Sequence, residues 1–414
     1  MAARAPAHRD DFLSDLESAL QTANKSRSGR TVADQNRIFG RWTRFCAAHG
    51  VAESLCNVPD SDEKICYLLV FGMRLRRRGR RGEPVRAGTV EDALLAVGTG
   101  ISHLGFSDPR KPVSGSSSNH PLLQAFLKAM RDEDDPASRV YPANLTIIRA
   151  LPLVLDFDDP DQGVAETAVF DLIIVAFFWL MRPAEYTYLP NTPNARRTQA
   201  FRLCDIQFDV AGRLRLATDP SCNDATFLAS RRAVLTFADQ KNAVRGETIT
   251  HHASGDRVIC PVRALARRVR AIRQATLDPT TPINYVHLPS NDVFYISGEH
   301  VTRALRLATA HVFPQTGIPA NLVSARSLRP GGATALMCAG VDRDMIQLLG
   351  RWKSDAMLRY LRVAAAANIQ PFARRMLENG SYTFAPAAHQ VGPQYLVPTE
   401  APAGLAAIIS DTDE

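Results

Sequence analysis

Hydrophobic and polar positions in the first 135 residues recur with helical spacing. The clearest stretch covers residues 31–49, where Ile38, Phe39, Trp42 and Phe45 fall on one helical face together with Cys46. Similar apolar stripes predict four further helices, over residues 11–23, 62–73, 90–104 and 121–131. No stretch of this region alternates as a strand would, so the pattern predicts an all-helical bundle.

Beyond a charged, proline-broken segment at residues 132–139, which predicts a linker, helical and strand patterns are mixed. Helices are expected at residues 144–155, 164–180, 261–275, 298–309, 331–339, 342–349 and 354–366. Strands are expected at residues 201–208, 214–217, 232–237 and 248–251. The predicted fold class is mainly α with a small antiparallel β-sheet, in two domains. These are an all-α bundle of residues 1–135 and an α+β domain of residues 136–380, and residues 381–414 form a flexible or partner-docking acidic tail.

Composition narrows the classes of protein that the chain can represent. Its 414 residues are long for one core, and 45% hydrophobic with 22% charged residues is typical of soluble globular proteins. The longest apolar run, residues 172–181, is about half the length that a membrane-spanning helix needs. No apolar signal segment follows the N-terminus, so secretion is not expected. The seven cysteines form no CxxC pair, which favours reduced, mostly buried thiols over a metal site.

The formal net charge of +7 combines basic domains with a tail, residues 381–414, that contains acidic residues and no lysine or arginine. A basic surface suits a polyanionic partner, because phosphate neutralisation dominates nucleic-acid affinity. An excess of this size also occurs in proteins that bind no DNA. Charge alone therefore does not decide the partner.

Three short segments carry the candidate chemistry. They are FFWLMRPAE at residues 177–185, RSLRPGGAT at residues 326–334, and LGRWKS at residues 349–354, which Tyr360 follows. Two arginines and a phenol are the groups that can hold a phosphodiester and attack it, since guanidinium groups stay charged and fit phosphate in bidentate fashion. This constellation resembles the tyrosine recombinase (phage integrase) family, and its wording is most similar to Crypton-type recombinases of eukaryotic mobile elements. The resemblance covers residues 11–380.

The resemblance implies a role for each of these residues. Arg182 and Arg329 would bind the scissile phosphate, Glu185 would support Arg182, and Tyr360 would be the nucleophile. Lys241, in the turn between two predicted strands, would protonate the leaving 5′-oxygen. The alternatives are a helix-surface ion pair for Arg182 and Glu185, a core tyrosine for Tyr360, and an exposed hairpin lysine for Lys241.

Two positions are ambiguous or depart from the family. Trp352 matches the place where relatives carry His or Trp, but its spacing to Tyr360 is one residue short, so Arg351 is the alternative occupant. A buried structural tryptophan is a further alternative. Arg326 stands three residues before Arg329, where the family usually has a histidine that takes the tyrosine's proton. An arginine cannot accept that proton, although it can stabilise the phosphorane electrostatically. The proline and glycines after Arg329 are expected to let the backbone approach a phosphate closely.

A second basic set lies in the predicted bundle. It comprises the polar face of the 31–49 helix and the basic run at residues 74–81, and the candidate DNA contacts are Arg37, Arg41, Arg44, Arg74, Arg76, Arg77, Arg78, Arg80 and Arg81. The run could also be a nuclear-localisation signal or a solvated loop. A nuclear location is expected if the host is eukaryotic, and a cytoplasmic one otherwise.

The implied function is that of a site-specific DNA recombinase that forms a 3′-phosphotyrosyl intermediate. Double-stranded DNA is the expected partner, bound by a homotetramer, with no metal or other cofactor, no membrane and no small-molecule substrate. One alternative is a DNA-binding protein of recombinase descent that has lost cleavage, which Arg326 motivates. Another is a type IB topoisomerase, which uses similar residues.

Overall fold

The computed structural model describes residues 14–15, 18, 29–77, 84–112, 117–135, 140–189, 200–238 and 246–353. These residues all belong to one of two compact units, Met1–Leu361; the other unit, Arg362–Glu414, lies outside the described residues. Within the described part, the buried apolar side chains form two large clusters, one between residues 42 and 130 and one between residues 143 and 328. The domain boundary at residues 135 and 136 stays a prediction.

The regular elements that build the first cluster are all helices among the described residues, as the pattern predicted, and Leu55 and Val58 join the cluster from a connecting loop. Their bounds are α1 Gly29–Ala48, α2 Ser61–Arg76, α3 Ala87–His103 and α4 Pro121–Glu133. Helix α2 begins after Asp60, whose carboxylate accepts the Asp62 N–H, and α4 begins with a proline, which suits a first helical turn. Of the predicted helix at residues 11–23, residues 14, 15 and 18 are helical and the others lie outside the described residues.

Trp42 is the centre of this helical core. It is fully buried, its ring stacks on Phe45 with centroids 5.4 Å apart, and it meets the ring of Phe71 edge-on at 5.2 Å. The indole N–H donates to the carbonyl of Glu53 at 2.7 Å, so its one polar group is satisfied. The apolar face predicted for α1 is therefore confirmed as the face that builds the core.

The second cluster mixes helices and strands. The helices are α5 Leu145–Ala150, α6 Gln162–Phe178, α7 Pro183–Tyr186, α8 Asp224–Ala229, α9 Pro261–Arg273, α10 Gly298–His311, α11 Phe313–Thr316, α12 Leu328–Cys338 and α13 Arg343–Gly350. The strands are β1 Ile206–Val210, β2 Arg213–Leu216, β3 Arg232–Phe237, β4 Glu247–His252, β5 Tyr285–His287 and β6 Val293–Tyr295. Short 3₁₀ turns occur at Leu151–Leu153, Leu203–Asp205, Ala320–Leu322 and Ala325–Ser327.

The larger sheet has the strand order β2-β1-β3-β4, and every pairing in it is antiparallel. A separate antiparallel pair joins β5 to β6. The described residues are thus mainly helical with a small antiparallel sheet, which confirms the predicted fold class. In the part of the chain that the structure describes, no helix is both long and apolar enough to cross a bilayer.

Some element boundaries differ from the predictions. The strand predicted at residues 201–208 begins only at Ile206, because Leu203–Asp205 form a 3₁₀ turn in which the Asp205 carboxylate accepts the Arg202 N–H. Helix α8 and the β5–β6 pair were not predicted. Helix α8 has six residues, and β5 and β6 have three residues each. Elements this short give no periodic signal in the sequence.

The glycines after Arg329 have a packing role. Helix α12 begins at Leu328, so Gly331 and Gly332 lie inside it. A Cβ added at Gly331 would stand 2.0 Å from the carbonyl oxygen of Ala143, and one at Gly332 would stand 2.2 Å from that of Phe177. The two glycines let α12 pack directly on neighbouring backbone.

Candidate functional site

The end of α6 sets the position of Arg182. The Met181 N–H donates to the carbonyl of Ala176 and the Leu180 N–H to that of Phe177, and Leu180 adopts a left-handed φ of 49°. This is the Schellman ending of a helix, which usually uses glycine at the left-handed position. The buried side chain of Leu180 packs with Ala333 and Ile346 instead, and the chain turns sharply into Arg182.

Arg182 and Glu185 form a local unit at the start of α7. The Glu185 carboxylate accepts the backbone N–H of Arg182 at 2.8 Å through Oε2 and its Nη1 at 2.8 Å through Oε1. The Glu185 side chain is 2% exposed and that of Arg182 is 24% exposed. The pair is therefore not a solvated surface ion pair. The carboxylate is buried, and the guanidinium remains partly open.

Arg351 lies on the other side of the same carboxylate. It follows α13 in the left-handed conformation, with φ at 57°, and its side chain has no exposed surface. Its Nη2 donates to Glu185 Oε2 at 3.0 Å and to the carbonyl of Leu180 at 3.3 Å. Its Nη1 donates to the carbonyl of Trp179 at 3.1 Å. Arg351 thus occupies carbonyls that the end of α6 leaves without partners.

Burial lowers the pKa of Arg351 to about 10, and the negative charge of Glu185 opposes that shift. The group is still protonated at neutral pH. Its guanidinium carbon also lies 3.5 Å from the ring centroid of Phe237, at the end of β3. With its donors turned inward, Arg351 does not present a guanidinium to a ligand in the way that the alternative assignment required.

Arg329 and Trp352 form the second part of the site. Arg329 is 6% exposed, its Nη2 donates to the carbonyl of Gly350, and its guanidinium carbon lies 4.3 Å from the centroid of the Trp352 ring. A Cβ at Gly350 would stand 1.5 Å from the Trp352 ring, so only glycine permits this packing. Trp352 is partly buried, and at this position it both packs and holds a catalytic candidate in place.

The strand pair β3–β4 ends beside this cluster. Phe237 pairs with Glu247, and the Gly246 N–H donates to the Phe237 carbonyl at 3.0 Å. Residues 239–245 join these paired ends, so the strands predicted to flank Lys241 are confirmed. Lys241 itself and Tyr360 lie outside the described residues, and their roles stay predictions.

Arg326 lies in the 3₁₀ turn Ala325–Ser327 that leads into α12, and its side chain is exposed. Ser324 begins this turn and accepts the Arg326 N–H at 3.3 Å. The contrast with the buried Arg329, three residues later, separates the two arginines: one is held by protein groups, and the other is open to solvent.

Arg76, one of the candidate DNA contacts, is engaged within the bundle. Arg76 is 6% exposed, and its guanidinium donates to Asp134 Oδ1 at 2.8 Å and to the carbonyl of Val85 at 3.1 Å. It joins α2 to the end of α4, so its donors are used within the bundle. The basic run is also not wholly a loop, because α2 continues through Arg76.

Two arginine sets that the sequence separates come together in the bundle. Arg41 and Arg44 of α1 and Arg74 of α2 line one surface cleft, with the Arg74 guanidinium carbon 5.1 Å from the Phe45 ring centroid. Arg37 and Arg77 are exposed as well. Arg78, Arg80 and Arg81 lie outside the described residues.

The sequence missed the part that Arg351 plays. The motif spacing offers Arg351 only as a substitute for Trp352, and no residue near Arg351 in the chain points to Glu185. Among the described residues, no group of three or more His, Cys, Asp or Glu side chains could hold a metal ion.

Comparisons with known proteins give distant structural likenesses alone. No protein-family model matches the chain, and no curated protein matches its sequence. The chain is similar to the Tn1549 transposon integrase in complex with circular intermediate DNA, at 14% identity over 76% of this chain and 84% of that chain, with a TM-score of 0.42. It is similar to the same integrase in complex with transposon right end DNA, at 11% identity over 77% of this chain and 85% of that chain, with a TM-score of 0.41. It is also similar to XerA recombinase, at 12% identity over 84% of this chain and 100% of that chain, with a TM-score of 0.33. At such TM-scores, assignment of a function depends on the residues of the site.

Proposed function

We propose that this protein is a site-specific DNA recombinase that cuts and rejoins double-stranded DNA through a 3′-phosphotyrosyl intermediate. The observation that supports this function most directly is the set of contacts that connects Arg182 and Arg329 to residues 350–352. Glu185 binds Arg182 and Arg351 at once, and Arg329 reaches Gly350 and Trp352. Both candidate phosphate-binding arginines are therefore tied to the residues that precede Tyr360.

The proposed chemistry is a transesterification. The Tyr360 oxygen attacks the scissile phosphorus, a bond forms between them, and the bond from phosphorus to the 5′-oxygen breaks. Lys241 gives a proton to that oxygen, and the phenolic proton leaves to water or to another base. Arg182 and Arg329 stabilise the negative charge that develops on the non-bridging oxygens, which is the largest contribution expected at such a site. Attack by water or by a second 5′-hydroxyl distinguishes hydrolysis from strand exchange.

Further features of the proposal concern the setting. The wording of the motifs favours a Crypton-type element, with the domains divided near residue 135 and the protein acting in the nucleus as a homotetramer on DNA. Arg41, Arg44 and Arg74, which line one cleft, are the bundle residues best placed for phosphate contact. Backbone phosphate contacts position a protein on DNA without reading sequence.

A second candidate is a protein that binds DNA and has lost cleavage. The exposed Arg326 favours it, because an arginine cannot take the proton of the nucleophile. In that case Arg326 serves as one more phosphate contact. Both candidates predict DNA binding, and only the first predicts a covalent adduct.

The test begins with a pool of DNA duplexes of random sequence, from which the full-length protein selects those that it binds. Selected duplexes are then nicked at staggered positions, so that the short strand released by cleavage diffuses away and the adduct is trapped. A protein–DNA species that survives denaturing electrophoresis, with the label on the strand that ends at the 3′-phosphate, is expected. Tight binding without any adduct at any nick position would establish the second candidate.

A further inference from the structure

We infer that Arg351 is a positioning residue, which holds Glu185 so that the Arg182 guanidinium stays available to the scissile phosphate. This inference rests on the proposed function. The Arg351 side chain is not expected to contact DNA, since it has no exposed surface. It acts through the buried carboxylate that it shares with Arg182.

Arg182 and Arg351 share the carboxylate of Glu185. Glu185 Oε1 takes one N–H from Arg182, while Oε2 takes the Arg182 backbone N–H and an N–H from Arg351. The Glu185 side chain is 2% exposed, so water contributes little to its solvation. Two guanidinium groups share one carboxylate, and the resulting excess of positive charge favours binding of an anion beside the partly exposed Arg182.

Loss of Arg351 would change the contacts of Glu185. A buried carboxylate that loses one of its two cationic partners is left undersatisfied. Arg182 is the remaining cation in contact with it, and a fork-to-fork arrangement between guanidinium and carboxylate is the strongest that such a pair can form. Arg182 would therefore turn its remaining donors toward Glu185 and away from a phosphate.

The backbone of Arg351 has an uncommon conformation. A left-handed conformation is unfavourable for an arginine, yet Arg351 adopts it with φ at 57°. The turn places the guanidinium on the carbonyls of Trp179 and Leu180, at the end of α6, and on the ring of Phe237. One side chain thus ties α13, α6 and the start of the segment that carries Lys241 to a single point.

The experiment compares cleavage of an ordinary phosphodiester with cleavage of a methylphosphonate at the same nicked position. A methylphosphonate lacks the non-bridging charge, so its reaction depends less on Arg182. The variants are Arg351→Met, Arg351→Lys, which keeps the charge, and Arg351→Asn, since asparagine tolerates the left-handed backbone. Arg268→Met is the matched control, because Arg268 is a similarly buried arginine that donates to the carbonyls of Ile283 and Tyr285.

We expect Arg351→Met and Arg351→Asn to slow phosphodiester cleavage about 100-fold per folded molecule, as a small misplacement of a catalytic group can. Methylphosphonate cleavage should fall much less, and Arg351→Lys should lie between parent and Arg351→Met. Arg268→Met should keep the parental ratio of the two rates. Equal losses on both substrates, or a lowered ratio in Arg268→Met as well, would reduce Arg351 to a stabilising residue and overturn the inference.

Amide hydrogen exchange separates a failure of this inference from a failure of the proposed function. Without Arg351 the Glu185 carboxylate turns both oxygens to the Arg182 guanidinium. The Arg182 backbone N–H, which donates to Oε2, is therefore expected to exchange faster in Arg351→Met and in Arg351→Asn, but not in Arg268→Met. Unchanged protection at Arg182 overturns the inference whether or not the parent cleaves DNA. If the parent forms no adduct while protection falls, the recombinase function fails and Arg351 remains the group that orders Glu185.

Discussion

The guanidinium of Arg351 donates to the carboxylate of Glu185 at 3.0 Å, across 166 positions of the chain. Arg182 binds the other oxygen of the same carboxylate at 2.8 Å. This contact connects the segment after α6 with the segment after α13, and three of the six catalytic candidates, Arg182, Trp352 and Tyr360, belong to these segments.

Tyr360→Phe should abolish the covalent adduct while leaving DNA affinity within a few-fold of the parent. The substitution removes the nucleophilic oxygen and no positive charge. Adduct formation on nicked duplexes and affinity on intact ones are the two measurements. Tyr382→Phe, a tyrosine without the preceding Gly-Arg-Trp, serves as the control. An adduct that persists in Tyr360→Phe would assign the nucleophile to another tyrosine.

Arg182→Ala and Arg329→Ala should each slow cleavage by about 10²- to 10³-fold, because a donor to a developing oxyanion contributes roughly 3–4 kcal/mol. Single-turnover cleavage measures the effect. Arg303→Ala is a suitable control, since Arg303 pairs with Glu166 and not with Glu185. Parental rates in Arg182→Ala or Arg329→Ala would show that the cluster has a purely structural role.

Arg326→Ala should slow cleavage without moving its pH dependence, since an arginine does not titrate in the accessible range. Arg326→His should recover most of the activity that Arg326→Ala loses. Its cleavage rate should also depend on pH near the ordinary imidazole pKa of about 6.5. Rates from about pH 5.5 to 9 decide the matter. A parent that never cleaves, beside an Arg326→His variant that does, would favour the binding-only candidate.

Arg76→Ala should destabilise the protein by about 3 kcal/mol, as expected when one partner of a largely buried ion pair is removed. Arg76 and Asp134 are the partners, and the hydrogen bond from Arg76 lowers the pKa of Asp134. Denaturant unfolding measures the change. Arg77→Ala, at the exposed neighbouring position, should stay within about 0.5 kcal/mol of the parent. The outcome is reversed if Arg76 is a DNA contact: affinity then falls and stability does not.

Stability should fall as the pH is lowered from about 6.5 toward 4, in part because of His251. Burial lowers the pKa of His251 from 6.5 to about 4, so the folded protein holds this imidazole neutral while the unfolded chain protonates it. A depressed folded-state pKa gives stability that is complete above the unfolded pKa and is lost toward the folded pKa.

The measurement for His251 is the melting temperature against pH for the parent, His251→Phe and His252→Phe. His251→Phe should flatten the curve between pH 7 and 5, and His252→Phe, at the exposed neighbouring position, should not. Identical slopes in all three proteins would show that other groups determine the acid sensitivity.

The sequence by itself determined the helices of the bundle, the apolar face of α1, the strand pair β3–β4 and the mainly-α fold class. The helix and strand features depend on local pattern: α1 contains enough turns for its apolar period to be clear, and α6 is marked by a long, nearly continuous apolar run. Sequence also singled out Arg182, Arg329 and Trp352, because their neighbours in the chain form recognisable motifs. It could not tell exposed from buried arginines, since each motif shows only residue type and spacing.

Tertiary structure decided which arginines face solvent and which hold the fold together. Arg76 and Arg351 point inward because their N–H groups donate to carbonyls and carboxylates that are distant in the chain. Arg326 lies on an exposed turn. The glycines after Arg329 likewise serve helix packing, since the backbones of Ala143 and Phe177 lie against them. Burial and hydrogen-bond partners across 50 to more than 150 residues are properties of the folded chain, and local pattern carries no record of them.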